Sequence, residues 1–251
     1  MKNPRYNNSA GRLLELLSEI NESKGDYLHL IPNILKVSST DNNKSATEPQ
    51  RLTYSGIVHL HRLYYQFLDD MRSADMNEQQ RSVLLNGLKD IQLIVFPAQF
   101  NTSPRRITEA EKSLLEVCAT VLPIEEDLTK DYINEIRESI GSLRELIENS
   151  NTPKELKSLL LEFIRLSNDS IDRFNIYGAK GLKSSIKSML AEVAELQLSL
   201  EEKQIEKIKK SGAWDRIINH LRIIDGVASK ILKYKPLLES ASKLFLGNDG
   251  S

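Results

Sequence analysis

The sequence predicts an all-α protein, a multi-helix antiparallel bundle of about eight to ten helices. Three observations carry that prediction. First, Leu182, Ile186, Met189, Val193, Leu196 and Leu200 recur at intervals of 4, 3, 4, 3 and 4, the a/d rhythm that places all six on one helical stripe. Lys183, Lys187, Glu192, Glu195 and Gln197 fill the other faces, so the stripe has to be covered, by a helix of this chain or by a partner. Second, 11 glycines, 8 prolines, 6% aromatic and 27% charged residues among 251 are the composition of a helical bundle, not of a β-sandwich or a disordered chain. Third, no alternating strand pattern stands out.

Taken in order, Ser9 reads as the N-cap of a short helix reaching about Ile20, with Leu13, Leu14, Leu17 and Ile20 as its apolar positions. A turn over Asn21–Asp26 leads to a second apolar segment, Tyr27–Val37, bent by Pro32. Residues 38–50 are polar with almost nothing to bury and read as a linker. A helix is expected over Arg51–Ser73, carrying Ile57, Leu60, Leu63, Tyr64, Phe67, Leu68 and Met71. The next is expected from Asn77, its cap, to Phe96, where Pro97 stops it.

Thr108-Glu-Ala-Glu111 has the form of a capping box, and Thr152-Pro-Lys-Glu155 repeats it with Pro153 at the first helical position. Between them Pro123 separates a short helix from a long one bearing Leu128, Tyr132, Ile136, Ile140, Leu143 and Ile147. The helix after Pro153 is expected to reach Asn175. Gly178 and Gly181 then precede the ladder helix, which runs to about Lys210. Gly212 precedes a last long amphipathic helix, from Trp214 to about Lys235, and Pro236 opens a short terminal one ending at Gly247. The organisation expected is a docking segment over 1–37, the linker 38–50, a bundle over 51–247 and a loose tail over 248–251.

A chain of this length buries enough surface to need neither disulfide nor metal. Cys118, the single cysteine, lies in an apolar helical stretch and reads as a small buried hydrophobe in a reducing compartment. The first residues have no apolar core, and no stretch approaches the roughly 20 apolar residues that cross a bilayer, so the expected location is the cytosol. Net charge is −1, but residues 108–150 hold 11 acids against 4 bases, and residues 201–235 hold 9 bases against 5 acids. Balances of −7 and +4 favour docking of the basic end on the acidic hairpin, within or between subunits.

Nothing local reads as a reactive constellation. His59 and His61 are two apart and point to nearly opposite sides of a helix, so they cannot share a metal ion. Gly178-Ala-Lys-Gly-Leu-Lys-Ser-Ser185 has neither the spacing nor the preceding strand of a phosphate loop, and reads as a turn between two helices. Glu125-Glu-Asp127 and Asp69-Asp70 read as solvated acids. Glu201, Glu202 and Glu206 interleave with the basic stretch Lys203–Lys210, so nucleic acid is not the expected partner. No catalytic, metal or cofactor residue is expected.

Tyr6–Leu17, Ile176–Leu182 and the Trp214 helix ending Leu244-Phe-Leu-Gly247, together about a fifth of the chain, resemble a loose set of uncharacterised bacterial all-helical cytosolic proteins. The resemblance implies a bacterial cytosolic protein and supplies no activity. The function expected is therefore a non-enzymatic module for binding a protein partner or for self-assembly. Its contacts are expected on the ladder, Leu182, Ile186, Met189, Val193, Leu196 and Leu200, and on the last long helix, Ile217, Leu221 and Ile224, with Trp214 as anchor. The other expectation is a membrane-active protein, because residues 214–246 combine an apolar stripe, one tryptophan and basic flanks suited to a lipid surface.

Overall fold

A computed structural model describes residues 7–35, 48–148, 152–199 and 212–232. These residues form ten α-helices with no strand among them, packed helix on helix. The chain divides into two compact units, Met1–Ile124 and Glu125–Ser251.

The first unit holds α1 (Ser9–Glu22), α2 (Tyr27–Ile34), α3 (Glu48–Ser73), α4 (Glu78–Gly87), α5 (Gln92–Val95) and α6 (Glu109–Val121). Asn8, not Ser9, caps α1: its Oδ1 accepts the Gly11 N–H at 3.0 Å. The Nδ2 of the same side chain donates to the carbonyls of Ala119 (2.8 Å) and Leu122 (3.2 Å), so one amide opens α1 and closes α6. Ser9 becomes the first helical residue, and its hydroxyl donates to Asp70 Oδ2 at 2.6 Å. Asp26 caps α2 through the His29 N–H, and Pro32 stays within the helix. Pro32 has no N–H for the Leu28 carbonyl, which the Thr53 hydroxyl approaches at 3.3 Å instead. α1 packs on α2, α3 and α6, and α2 packs on α3, so the first two helices share a core with α3 and α6.

The helix expected over 77–96 is broken. α4 ends at Gly87, a 3₁₀ turn covers Lys89–Ile91, and α5 supplies one more turn. At the break the chain lies close against α6: a Cβ on Gly87 would be 2.5 Å from Leu114 Cδ1. The redirected chain also buries Leu88, Ile91, Ile94 and Val95 together. Arg81 holds the preceding corner, donating to the carbonyls of Met71 (2.9 Å), Ala74 (3.1 Å) and Met76 (3.3 Å), the kind of acceptors that a helix end leaves open.

The second unit is a ring of four helices: α7 (Lys130–Glu148), α8 (Lys154–Asp172), α9 (Phe174–Ser199) and α10 (Ala213–Leu232). α7 packs on α8, α8 on α9, α9 on α10 and α10 on α7, around one apolar core. The Thr108 box forms as expected, whereas Thr152 does not cap α8. Pro153 takes the N-cap position of α8, and the Thr152 hydroxyl donates backwards to the Leu146 carbonyl at 2.7 Å, closing α7. α9 is interrupted at Gly178, whose φ of 59° and ψ of −155° suit glycine alone. Of the docking expected between the basic end and the acidic hairpin, the described residues hold a contact where α10 lies on α7: Arg216 reaches Glu145 Oε2 at 2.9 Å and the Ser142 carbonyl at 3.2 Å. Both side chains are exposed, so apolar packing holds that contact more than charge does.

Residues 38–47 of the expected linker lie outside the described residues. So do Leu200, the basic stretch Lys203–Lys210, the last turn expected to Lys235, the Pro236 helix and the tail 248–251.

Candidate functional site

The expected contact residues are placed in the core of the second unit. Leu182, Ile186, Met189 and Val193 on α9 are fully buried and Leu196 nearly so; on α10, Ile217, Leu221 and Ile224 are fully buried and Trp214 is 7% exposed. The ladder is thus covered by helices of its own chain, through α8 and α10. Among the described residues its a/d spacing serves an intramolecular four-helix seam, and these side chains present little outer surface.

Inside that core sits a polar joint. His220 on α10 is fully buried, its Nδ1 2.8 Å from Ser139 Oγ on α7 and its Nε2 2.9 Å from Ser167 Oγ on α8. Its ring stacks on Phe163 with centroids 6.3 Å apart. Burial pushes its pKa down to about 4, so the ring is neutral at neutral pH.

Glu125 departs from the solvated reading. Glu126 and Asp127 are exposed, but Glu125 is 7% exposed and its Oε2 accepts the Ala179 N–H at 2.9 Å. The backbone break at Gly178 starts a new helical run whose first amides lack internal partners, and the carboxylate answers one of them. Cys118 is fully buried, and burial pushes its thiol up to about 11, which makes it an inert core residue. His59 is buried, whereas His61 is half-buried with its ring 4.1 Å from that of Phe96, so the two diverge as expected. Among the described residues no three His, Cys, Asp or Glu side chains are grouped to hold a metal ion. No described helix is long and apolar enough to cross a membrane.

The open apolar surface lies in the first unit. Tyr54, Val58, His61 and Tyr65 follow one another at intervals of 4, 3 and 4 along the outer side of α3. Tyr54 is 57% exposed and Tyr65 54%. The face is extended by Phe96, 5.9 Å from the Tyr65 ring, and by Phe100, 4.7 Å from the Tyr54 ring. α3 therefore carries two apolar stripes, and only the one with Ile57, Leu60, Phe67 and Met71 is buried. The sequence holds a signal for this: a 26-residue helix apolar on two sides has more apolar surface than one core contact covers. A second open feature is a groove of about 670 Å³ lined by Asp75, Met76, Val83, Leu84, Val117 and Val121, between the start of α4 and α6. Val83, Val117 and Val121 are all exposed there.

Comparison with protein-family models, with curated proteins and with solved structures finds no match for this chain. The likeness carried by the three stretches rests on those residues alone.

Proposed function

We propose that the chain is a non-enzymatic, self-assembling protein-binding module of the bacterial cytosol, in which the aromatic face of α3 in one copy seats in the α4–α6 groove of another. The observation that carries this reading is the exposed stripe of Tyr54, Val58 and Tyr65, continued by Phe96. Contiguous exposed aromatics mark contact surfaces, because their burial rewards association strongly at little entropic cost. Charge supports a second copy as occupant. The exposed charged side chains described on α3 are Arg51, Arg62, Asp69 and Arg72, a basic set, whereas Asp75 lines the groove and the exposed Glu116 adjoins Val117. A volume of this size accommodates one or two aromatic rings.

Two different patches meeting is a head-to-tail contact, and that arrangement has its own signature. Sedimentation velocity over a concentration series is expected to show wild-type chains longer than dimers, weakened by salt. Tyr65→Lys and Val117→Lys should each abolish association alone. Mixed, the two variants should form dimers and nothing longer, since each keeps one intact patch. A monomer at all concentrations contradicts the reading, and failure of the mixture to pair contradicts the head-to-tail geometry.

A further inference from the structure

We propose that His220 is an acid-sensitive lock on α10: taking up a proton, its ring lets α10 leave α7 and α8 and uncovers the apolar ladder on α9. The inference concerns the second unit and is independent of the α3 surface.

Ser139 Oγ lies 2.7 Å from the Ile136 carbonyl, and Ser167 Oγ lies 2.7 Å from the Phe163 carbonyl, while each also contacts one ring nitrogen of His220. Four hydrogen bonds need four protons. Two hydroxyls and a neutral imidazole supply three. In the neutral state one serine must turn its proton to the ring and release its carbonyl, so the joint is one bond short.

Protonation would complete the fourth bond, but only by placing a positive charge in the core. The groups bonded to or stacked on the ring are Ser139 from α7 and Ser167 with Phe163 from α8, none of them charged. Glu138, next to Ser139, is exposed, and Asp169, two residues after Ser167, pairs with Arg173. On α9, Lys187, Glu192 and Glu195 are exposed and Lys183 is half-exposed. Asp225, the other buried ionisable side chain on α10, lies five residues on, about 140° around the helix. A single neutral hydrogen bond gains little, whereas burying a charge without a counter-ion strongly disfavours the protonated ring. Burial wins, in agreement with the depressed imidazole. The proton is therefore taken up when the joint opens. α10 is the helix that opens, because the titrating ring belongs to it, whereas α7 and α8 contribute only serine hydroxyls to the joint.

The test is amide hydrogen exchange on the full chain, corrected for the intrinsic pH dependence and read separately for residues 212–232 and for α8. Linkage between an ordinary imidazole near 6.5 and a folded value of about 4 makes the open population of α10 about 30-fold larger at pH 5 than at pH 7.5. The expected result is that rise in α10, a smaller one in α8, and its loss in His220→Gln, which carries no titratable ring. No acceleration of α10, an equal acceleration of α8, or an unchanged pH response in His220→Gln would each overturn the proposal. Should His220→Gln not fold, the ring's own proton resonance in the wild-type chain decides: a midpoint well below 6.5 supports the lock, and one at or above 6.5 refutes it.

Discussion

Phe163→Ala is expected to destabilise the second unit by about 3–5 kcal/mol, followed by urea denaturation with the fluorescence of Trp214 as the reporter. Phe163 has no exposed surface and lies on α8 in the core that also holds the ladder and the α10 stripe. Truncation to alanine removes a ring that stacks on His220 and leaves a void that four rigid helices cannot fill without moving. Leu161, two residues earlier on the same helix, is 56% exposed. Leu161→Ala is therefore expected to change stability by no more than about 0.5 kcal/mol. Comparable losses at the two positions would contradict the packing of α8. Trp214 serves well as reporter, being the single tryptophan and part of the same core.

The second large effect is expected at Glu111 in the first unit. Its Oε2 accepts the Thr108 N–H and the Thr108 hydroxyl, each at 2.8 Å, and Arg105 adds two bonds at 3.0 and 3.2 Å. Glu111 is 5% exposed. Burial alone would raise its pKa, but the Thr108 amide, the Arg105 guanidinium and the Thr108 hydroxyl outweigh burial and hold the carboxyl below its usual range. Glu111→Ala removes the capping box and leaves Arg105 without its partner, a loss of about 3 kcal/mol at pH 7. Glu111→Gln keeps an acceptor for the Thr108 amide and should lose about half as much. The sign with pH follows from the lowered pKa. The ionised side chain contributes fully above its unfolded value, and the contribution fades as pH falls through the folded one. The gap between wild type and Glu111→Gln should therefore narrow in acid. A gap that widens in acid would mean that the carboxyl is not held in its charged form.

Much of the fold could be read from periodicity and from caps. The ladder, the Pro123 division and the Thr108 box all depend on residues within one turn of each other, and local geometry decides them. The failures are places where a distant residue competes. Asn8 took the cap of α1 from Ser9 because Ala119 and Leu122, more than 100 positions away, offered its amide two carbonyls. Thr152 turned to the Leu146 carbonyl rather than forward. The expected 77–96 helix breaks after Gly87, which lies against Leu114 of α6 with no room for a Cβ, a contact that no local pattern announces.

The site was less legible than the fold. An a/d stripe announces that something must cover it, and does not say whether the cover is internal. In α9 and α10 the cover is the bundle itself. On α3 a second stripe stayed outside, hidden in the sequence among the core residues that alternate with it. Glu125 read as a solvated acid because its partner, the Ala179 N–H, exists only once Gly178 has broken the helix.

The account rests most heavily on which apolar stripe is open and which is closed, and thiol labelling of single cysteine variants tests it most directly. Tyr65→Cys and Met189→Cys would each be made in the full chain, where the buried Cys118 thiol, pushed up to about 11, does not compete. At a dilution where the chain is monomeric, Cys at 65 is expected to react nearly as fast as in urea, and Cys at 189 at least about 100-fold more slowly in native buffer. Rapid labelling at position 189, with protection at position 65, would contradict it.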